Sequence, residues 1–501
     1  MPAASPAKAY GVTCDLLIIG GGINGCAIAR EAALNGCKVL LVERDDLASH
    51  TSSASTKLIH GGLRYLEYYD FRLVHEALQE RERLVKAAPH LIRPMAFVLP
   101  HEHAVRPWWL VRAGLYLYDA LAWGTSLPRS RGLRASDVAY TRPLKGGRRG
   151  FVYSDAFVDD SRLTLANALD AAENGAEIAT RTALVSARRV GDAWQAELSD
   201  GRTITARGLV NAAGPWVGEA LGRLGVNADA HVRLVKGSHI VVPRLYDGDH
   251  AYMLQQPDGR IVFAAPWQDG YTEVGTTDVP VERPEDAVID RQEIAYLCDA
   301  VNRHFTAQIA PDDVVSTWSG VRPLYDDGAG EAKAVTRDYV LELDSDGGGD
   351  GAPLLSVFGG KITTARHLAE DALHRLAPTL GIDVARVTRG RSFPGGDIAE
   401  FATFLAAVRA RYPFLGPQRS ARMAHAYGTR LWEMLADVRT IADLGPDYGG
   451  GLTAVELGWM RAREWAQTAD DVLDRRSKLR LVADDRVAAR VAAALETMPD
   501  A

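Results

Sequence analysis

The stretch that decides the fold is LIIGGGINGCAIARE, residues 17–31. Its apolar start predicts a short strand, Gly20, Gly22 and Gly25 predict a tight turn, and the following residues have helical spacing. A second apolar stretch, CKVLLVER, then ends in Glu43 and Arg44. Together these features predict a dinucleotide-binding unit. The glycines admit a pyrophosphate, the helix N-terminus favours the anion, and Glu43 accepts hydrogen bonds from ribose hydroxyls.

Two later stretches favour FAD over NAD, which the first unit does not distinguish. TARGLVNAAGPWV (205–217) and PLLSVFGGKITTARHLAEDAL (353–373) each run from a strand into a turn of small residues. We expect Ala212, Gly214 and Gly360 to bring bare backbone against an extended cofactor that lies along the domain. Each turn alone is also typical of an ordinary connection between a strand and a helix.

Composition excludes several classes of protein. With 57 basic and 64 acidic residues and a formal charge of −7, the chain has no overall attraction for nucleic acid. No apolar run has signal-peptide character or approaches the roughly 20 residues of a spanning helix, so we expect a cytoplasmic protein. The four cysteines lack CxxC spacing, which favours packed small side chains over disulfides or a metal site.

Several motifs together carry a family resemblance. The segment DDLASHTSSASTKLIHGGLRYLEYYDFRLVHEALQERERLVKAAPHL follows the second predicted strand. With GFVYSDAFVDDSRLTLANA, VKGSHIVVPR, VGTTDV, WSGVRPL, TRDYVL and FGGKITT, it closely resembles the FAD-dependent respiratory glycerol-3-phosphate dehydrogenases of bacteria. The resemblance implies an α/β fold with a discontinuous Rossmann-like FAD-binding domain, an α+β substrate-binding cap and an all-α C-terminal domain.

The expected domain boundaries follow from this resemblance and from the pattern of elements. Within the cap, residues 72–88 place Val74, Leu78, Arg81 (by its stem) and Val85 on one helical face. Near the C-terminus, Thr453 and Glu456 have capping-box spacing. The expected segments are FAD-binding at 1–75, 151–225 and 351–388, a cap segment with amphipathic helices at 76–150, the cap sheet at 226–350 and the helical domain at 389–501.

The implied reaction is oxidation of sn-glycerol 3-phosphate to dihydroxyacetone phosphate, with hydride transfer to N5 of FAD and electrons passing to a membrane quinone. Such a substrate requires cations for its phosphate and a base for its hydroxyl proton. By resemblance, Arg322 lies near the reacting oxygen, and the general base is His60 or His239, which the sequence does not rank. The predicted phosphate-binding residues are Arg64, Arg337 and Lys361, with Tyr65 as a neutral donor.

Four further residues are expected at the cofactor. Ser53 and Lys57 follow the acidic strand end and are predicted to contact an FAD phosphate or the edge of the ring. Thr363 and Thr364 open the last helix of the FAD-binding domain. Backbone N–H groups there can stabilise the charge that reduced flavin gathers at N1 and C2=O.

The segment RPWWLVRAGLYLYDALAWGT, residues 106–125, is a candidate membrane surface. It carries Trp108, Trp109, Leu115 and Tyr116 close to basic residues, a combination that suits the headgroup boundary. A buried cap helix has the same spacing, but the family resemblance favours peripheral attachment to the inner face of the cell membrane. The oligomeric state stays open, a homodimer included.

Three other functions are compatible with parts of this pattern. A glycerol-3-phosphate oxidase returns the electrons to O2 but tends to be longer. An amine or amino-acid oxidase shares the first unit but has no need of the HGGLRYLE motif. A non-enzymatic flavin-binding protein keeps the glycine turns and loses the cap cations, which are all present here.

Overall fold

The computed structural model describes residues 13–146, 149–226, 231–326, 338–345 and 351–498. Its strands are β1 Cys14–Ile19, β2 Val39–Val42, β3 Leu58–Ile59, β4 Ile92–Pro100, β5 Arg131–Gly132, β6 Gly150–Val158, β7 Glu177–Ala179, β8 Leu184–Val190, β9 Ala193–Leu198, β10 Thr203–Asn211, β11 His231–Pro243, β12 Ala251–Gln255, β13 Ile261–Trp267, β14 Tyr271–Gly275, β15 Val279–Val281, β16 Ser316–Asp326, β17 Val340–Asp344, β18 Leu354–Phe358, β19 Asp447–Gly449 and β20 Leu452–Thr453. Its helices are α1 Ile23–Leu34, α2 Phe71–Ala87, α3 Trp108–Leu121, α4 Val138–Thr141, α5 Asp160–Glu173, α6 Val217–Arg223, α7 Arg291–His304, α8 Ala365–Leu380, α9 Phe401–Arg411, α10 Gly416–Tyr427, α11 Leu431–Met434, α12 Ala454–Arg463 and α13 Asp485–Thr497.

The first sheet has the order β17-β18-β10-β1-β2-β7, with β9 antiparallel to β10 and β8 antiparallel to β9. Strands β18, β10, β1, β2 and β7 are parallel. In β1, Leu16 and Ile18 pack towards α1 and α8, and Leu17 and Ile19 pack towards the layer that contains Trp194. Both faces of this strand are buried, which explains its uninterrupted apolar run.

The second sheet forms the cap. Its order is β15-β11-β14-β13-β12-β4-β6-β3, with β16 antiparallel to β11 and β5 beside β6. One face packs on α7, where Leu297 and Val301 are buried with Ile240 and Val262. Side chains of α2 and α3, including Leu78 and Leu115, pack against the other face. The cap therefore has helices on both sides, and α2 and α3 lie on the same one.

Three strands differ from the expected domain boundaries. β17, expected in the cap, pairs with β18 at the edge of the first sheet. β3 and β6, expected in the FAD-binding segments, are strands of the second sheet, and β6 pairs with β4 along its whole length. An apolar strand pattern predicts burial but does not specify which sheet supplies the partner strand.

Helices α9 to α13 build a separate core at the C-terminus. Buried ion pairs join it to the first domain: Arg162 donates to Glu464 at 2.7 and 3.0 Å, and Arg476 donates to Asp46 at 2.5 and 2.7 Å. The capping box expected at Thr453 does not form. The Glu456 carboxylate instead accepts two hydrogen bonds from Arg422, both of 2.6 Å. The four cysteines are buried and are not disulfide-bonded.

Candidate active site

A groove of about 1070 Å³ opens where β1, β2, β10 and β18 end, the usual ligand position in a parallel sheet. Of the predicted cofactor residues, its walls include Gly20, Gly22, Glu43, Ala212, Gly214 and Gly360. Gly20 has φ +110°, and a Cβ there would lie 2.5 Å from the Ala212 carbonyl oxygen. Gly25 does not line the groove; a Cβ there would lie 1.9 Å from the Gly20 oxygen. Glycine at these positions lets the chain turn tightly beneath a ligand.

Glu43 is held by two backbone groups at the groove. Its Oε2 accepts from the Gly21 N–H at 2.6 Å, and its Oε1 accepts from the Asp45 N–H at 2.8 Å. Burial raises the pKa of Glu43, and these two hydrogen bonds oppose the rise. Each carboxylate oxygen has a further lone pair, so the residue can still accept from ribose hydroxyls.

Two residues that the sequence analysis did not identify complete this wall. The Ser52 hydroxyl accepts from the Ile23 N–H, the first of α1, at 2.9 Å. Asn24 donates to the Gly359 carbonyl at 3.1 Å, and its Oδ1 is buried without a partner. An unpartnered buried oxygen is costly unless a ligand donates to it, which fits a bound cofactor. The serine-rich stretch SHTSSAST was the available signal for Ser52.

Ser53 and Lys57 line a neighbouring cavity rather than this groove. The Lys57 ammonium donates to Asp160 at 3.1 Å and to the Ser53 carbonyl at 3.0 Å, and it lies 4.4 Å from the ring centroid of Trp318. Burial lowers the pKa of Lys57, which the charge of Asp160 opposes. The structure therefore gives Lys57 a buried ion pair at the domain junction, and its contact with the cofactor stays a prediction.

The segment 51–65, part of the motif that carries the family resemblance, includes β3 of the second sheet and contacts other strands of that sheet. Thr51 donates to the Val321 carbonyl of β16 at 2.8 Å. Thr56 Oγ1 lies 3.0 Å from Nε2 of His239 in β11. Thr363 and Thr364 are buried beyond the groove, and Thr363 Oγ1 accepts from the His60 N–H at 3.4 Å. The segment thus brings residues of the first domain and the cap to one place.

Lys361 is the most distinctive of the predicted cations. It directly follows Gly360, and its ammonium lies 4.0 Å from the ring centroid of Tyr65. The Nζ atom is buried and has no hydrogen-bond partner. A buried ammonium over an aromatic face, with its donors unused, is ready to receive an anion.

Arg322 lies on β16, close to the turn that precedes Lys361. A Cβ built on Gly359 of that turn would lie 3.6 Å from the carbonyl oxygen of Pro323, the residue after Arg322. The guanidinium is half-exposed and donates to Asp278 at 2.7 Å and to the Thr277 carbonyl at 3.1 Å. The loop after β14 therefore holds the guanidinium in a fixed orientation.

Of the other two predicted cations, one lines a different groove and one lies outside the residues that the structure describes. Arg64 lines a second groove of about 1760 Å³, formed by the turn Leu63–Tyr68, α3 and the ends of β12 and β13. Neither Tyr65 nor Lys361 lines this groove, so the structure does not bring the Arg64 side chain together with them. Arg337 lies outside the described residues.

Both candidate bases are neutral near pH 7. Burial, with the charges of Lys57 and Arg322, lowers the pKa of His239 to about 3, and Nδ1 of that ring is buried without a partner. Burial also lowers the pKa of His60, and the charge of Lys361 adds to the effect. A neutral imidazole can accept a proton, so the geometry leaves both histidines as candidates.

Helix α3 presents part of the predicted membrane surface. Trp109, Tyr116 and Trp123 are 68%, 69% and 81% exposed, and Trp108 is 40% exposed and stacks on Phe151. Leu115 was wrongly assigned to this surface: it is fully buried, because it lies on the opposite side of the helix, against α2 and the cap sheet. Among the described residues, no helix is both long and apolar enough to cross a bilayer.

Comparison with known proteins yields two family matches. Residues 15–366 match the FAD dependent oxidoreductase family, and residues 386–501 match the C-terminal domain of alpha-glycerophosphate oxidase. The chain is 50% identical to a glycerol-3-phosphate dehydrogenase of Pseudomonas aeruginosa, with 96% of this chain and 94% of the relative covered. It is 49% identical to the D-erythritol 1-phosphate dehydrogenase of Brucella abortus, with 93% and 94% covered.

A solved structure is similar over nearly the whole chain. It is the glycerol-3-phosphate dehydrogenase of Bacillus halodurans complexed with FAD, with a TM-score of 0.72, 26% identity and coverage of 97% of this chain and 94% of that one.

Proposed function

Because the chain belongs to the family of FAD-dependent oxidoreductases, we propose that it oxidises sn-glycerol 3-phosphate to dihydroxyacetone phosphate and passes the electrons to a membrane quinone. The predicted fold class and the predicted cofactor, FAD, are confirmed by the family match and by the FAD complex of a similar protein. Relatives named glycerol-3-phosphate dehydrogenases, about half identical over most of the chain, support the substrate.

The observation that carries the proposal is the Lys361 ammonium. It is buried, has no hydrogen-bond partner, and lies over the Tyr65 ring beside the cofactor groove. A phosphate dianion would supply the missing acceptor, and the neighbouring phenol of Tyr65 would add a donor. Arg64, which lines the groove along α3, remains a predicted further donor. A neutral or cationic substrate would leave this charge uncompensated.

The protein's own groups divide the remaining chemical tasks. FAD, when bound along the glycine-rich groove, supplies the hydride acceptor. Arg322, held by Asp278, provides a fixed positive charge for the substrate oxygen as its proton leaves. His60 or His239, each neutral at pH 7, accepts that proton.

Delivery of electrons to a membrane quinone is the second part of the proposal. The exposed rings of Trp109 and Tyr116 on α3, and of Trp123 just after it, form an apolar surface that suits a headgroup boundary. The groove that contains Arg64 also runs along α3. We therefore place the protein on the inner face of the cell membrane as a peripheral protein.

A longer polyol phosphate is the main alternative substrate, since one relative of similar identity is named a D-erythritol 1-phosphate dehydrogenase. Both substrates present a phosphate and a secondary alcohol, so the cations alone do not select between them.

The test mixes the FAD-loaded protein anaerobically with each of these two phosphates and follows the visible absorption of the flavin. Bleaching at lower concentrations of glycerol 3-phosphate than of D-erythritol 1-phosphate, reversed faster by soluble quinone than by air, is the expected result. Preference for D-erythritol 1-phosphate would change the substrate, and rapid reversal by air with peroxide would indicate an oxidase. If neither phosphate bleaches the flavin, the proposal is wrong.

A further inference from the structure

A side chain on the buried face of helix α3 reaches the predicted substrate segment. Tyr118 is only 2% exposed, whereas Trp109 and Tyr116 on the same helix are more than half exposed. Its ring packs in the core that joins α2, α3 and the cap sheet. The hydroxyl lies at the inner end of the side chain, where a buried phenol requires partners.

Those partners are the backbone of Gly61 and the carboxylate of Asp155. The Gly61 N–H donates to the Tyr118 oxygen at 2.8 Å. The phenol O–H donates to Asp155, whose two carboxylate oxygens lie 2.8 and 2.9 Å away. Burial and the neighbouring Asp155 charge raise the pKa of Tyr118 well above its usual value, so the hydroxyl keeps its proton.

Asp155 is itself fixed by a fully buried arginine. Arg81 of α2 donates to Asp155 at 2.5 Å and to the Ser154 carbonyl at 2.8 Å. The chain of contacts therefore runs from α2 through Asp155 and Tyr118 to Gly61. Each link is buried, and hydrogen bonds between buried groups are stronger than the same bonds in water, so they hold the four residues in place.

The backbone at Gly61 lies directly against the Tyr118 hydroxyl and Leu78. A Cβ at Gly61 would lie 2.5 Å from the Leu78 side chain and 2.7 Å from the Tyr118 oxygen. The next residue, Gly62, has φ +72° and directs the chain into the turn that carries Arg64 and Tyr65. The position of the Gly61 peptide thus sets where His60 and Tyr65 lie.

We propose that Tyr118 is a positioning residue for substrate binding, through which helix α3 holds segment 60–65 in its substrate-competent geometry. The proposal rests on the function proposed above, in which that segment contacts a phosphate substrate. It adds a physical link between helix α3, which carries the proposed membrane surface, and the substrate site.

The first test is Tyr118→Phe, which keeps the ring and removes only the hydroxyl. With glycerol 3-phosphate and a soluble dye as acceptor, kcat/KM should fall about tenfold, the scale of one buried hydrogen bond. Most of the loss should appear in KM, because the freed segment must be ordered when substrate binds. Bound FAD should be unchanged.

Two matched controls separate positioning from general loosening. His75→Leu removes a different α2–α3 contact, from the ring to the Leu121 carbonyl at 2.9 Å. Tyr412→Phe removes a buried phenol that donates to a carbonyl within the C-terminal domain. Both controls should stay within about twofold of the wild type. If Tyr118→Phe also stays within that range, or if His75→Leu causes the same loss, the proposal is overturned.

Hydrogen exchange on the unaltered FAD-loaded enzyme provides a measurement that does not depend on any variant folding. The Gly61 amide should exchange slowly before substrate is added, because its N–H is bonded and buried. Fast exchange would overturn the proposal. Absence of flavin reduction by either phosphate would instead contradict the proposed function, and the exchange result would still report on the Tyr118 contact.

Discussion

Replacement of Lys361 by methionine is expected to stabilise the substrate-free enzyme while it impairs catalysis. The ammonium is buried without a hydrogen-bond partner, which costs about 1–3 kcal/mol. Its contact with the Tyr65 ring, 4.0 Å from Nζ to the centroid, returns about 0.5–2 kcal/mol. The net cost is about 1 kcal/mol, and methionine of similar length removes it.

The functional loss follows from the same geometry. A charge-assisted hydrogen bond to phosphate contributes about 1.5–3 kcal/mol, so kcat/KM for glycerol 3-phosphate should fall about tenfold to a hundredfold. Activity is measured with a soluble dye, and stability by thermal release of FAD in the absence of substrate.

Lys57→Met is the matched control, because this buried lysine is paired with Asp160 at 3.1 Å. Removal of one partner of a buried ion pair costs up to about 3–5 kcal/mol. Lys478 still pairs with Asp160 at 3.2 Å and offsets part of this cost, but the variant should still lose FAD at a clearly lower temperature. The reasoning is refuted if Lys361→Met destabilises the enzyme as strongly as Lys57→Met, or if it leaves kcat/KM unchanged.

Three further predictions follow from the site and its surroundings. Arg322→Ala should keep FAD bound but reduce turnover about a hundredfold or more, as loss of a transition-state contact does; near-normal turnover would remove Arg322 from the mechanism. The double change Trp109→Ser and Trp123→Ser should weaken binding to anionic phospholipid vesicles about tenfold or more and leave dye reduction intact. The control Ile441→Ser, at an exposed residue of the C-terminal domain, should leave vesicle binding unaltered. Unchanged binding of the double variant would exclude this surface as the membrane contact. Burial raises the pKa of Glu273 from 4.5 to about 8; the charge of Lys57 opposes this rise and that of Asp160 adds to it. Between these pH values the folded state therefore binds more protons than the unfolded state. This group should therefore make the free energy of unfolding decline as pH rises from 4.5 to about 8. Denaturant titrations should show a smaller decline for Glu273→Gln than for the wild type; an equal decline would contradict the raised pKa of Glu273.

Local sequence was sufficient for the first unit of the fold. The strand Cys14–Ile19, the glycine turn and helix α1 occur where the pattern predicts them. The reason is that steric constraints on Gly20 and Gly25, and burial on both faces of a parallel strand, act between near neighbours in the chain. The motifs also identified Lys361 and Tyr65, which the structure brings together.

Contacts between residues that are distant in the sequence determined the features that local patterns did not predict. Arg81 was expected to bury only its stem on an apolar helical face, but its guanidinium is buried with Asp155, which is 74 residues away. Glu456 has the spacing of a helix cap and instead pairs with Arg422. Strand β17 has an ordinary strand pattern and joins the first sheet rather than the cap.

The sequence by itself determined the dinucleotide-binding unit and the kinds of residue available for phosphate binding. Only the tertiary structure decided which charged side chains are paired. The ammonium of Lys361 has no hydrogen-bond partner, whereas that of Lys57 pairs with the Asp160 carboxylate. The tertiary structure also decided that Tyr118 contacts Gly61. Helical and strand periodicity reflect which face is buried, whereas the pairing of buried polar groups depends on contacts between segments that the chain brings together only when it folds.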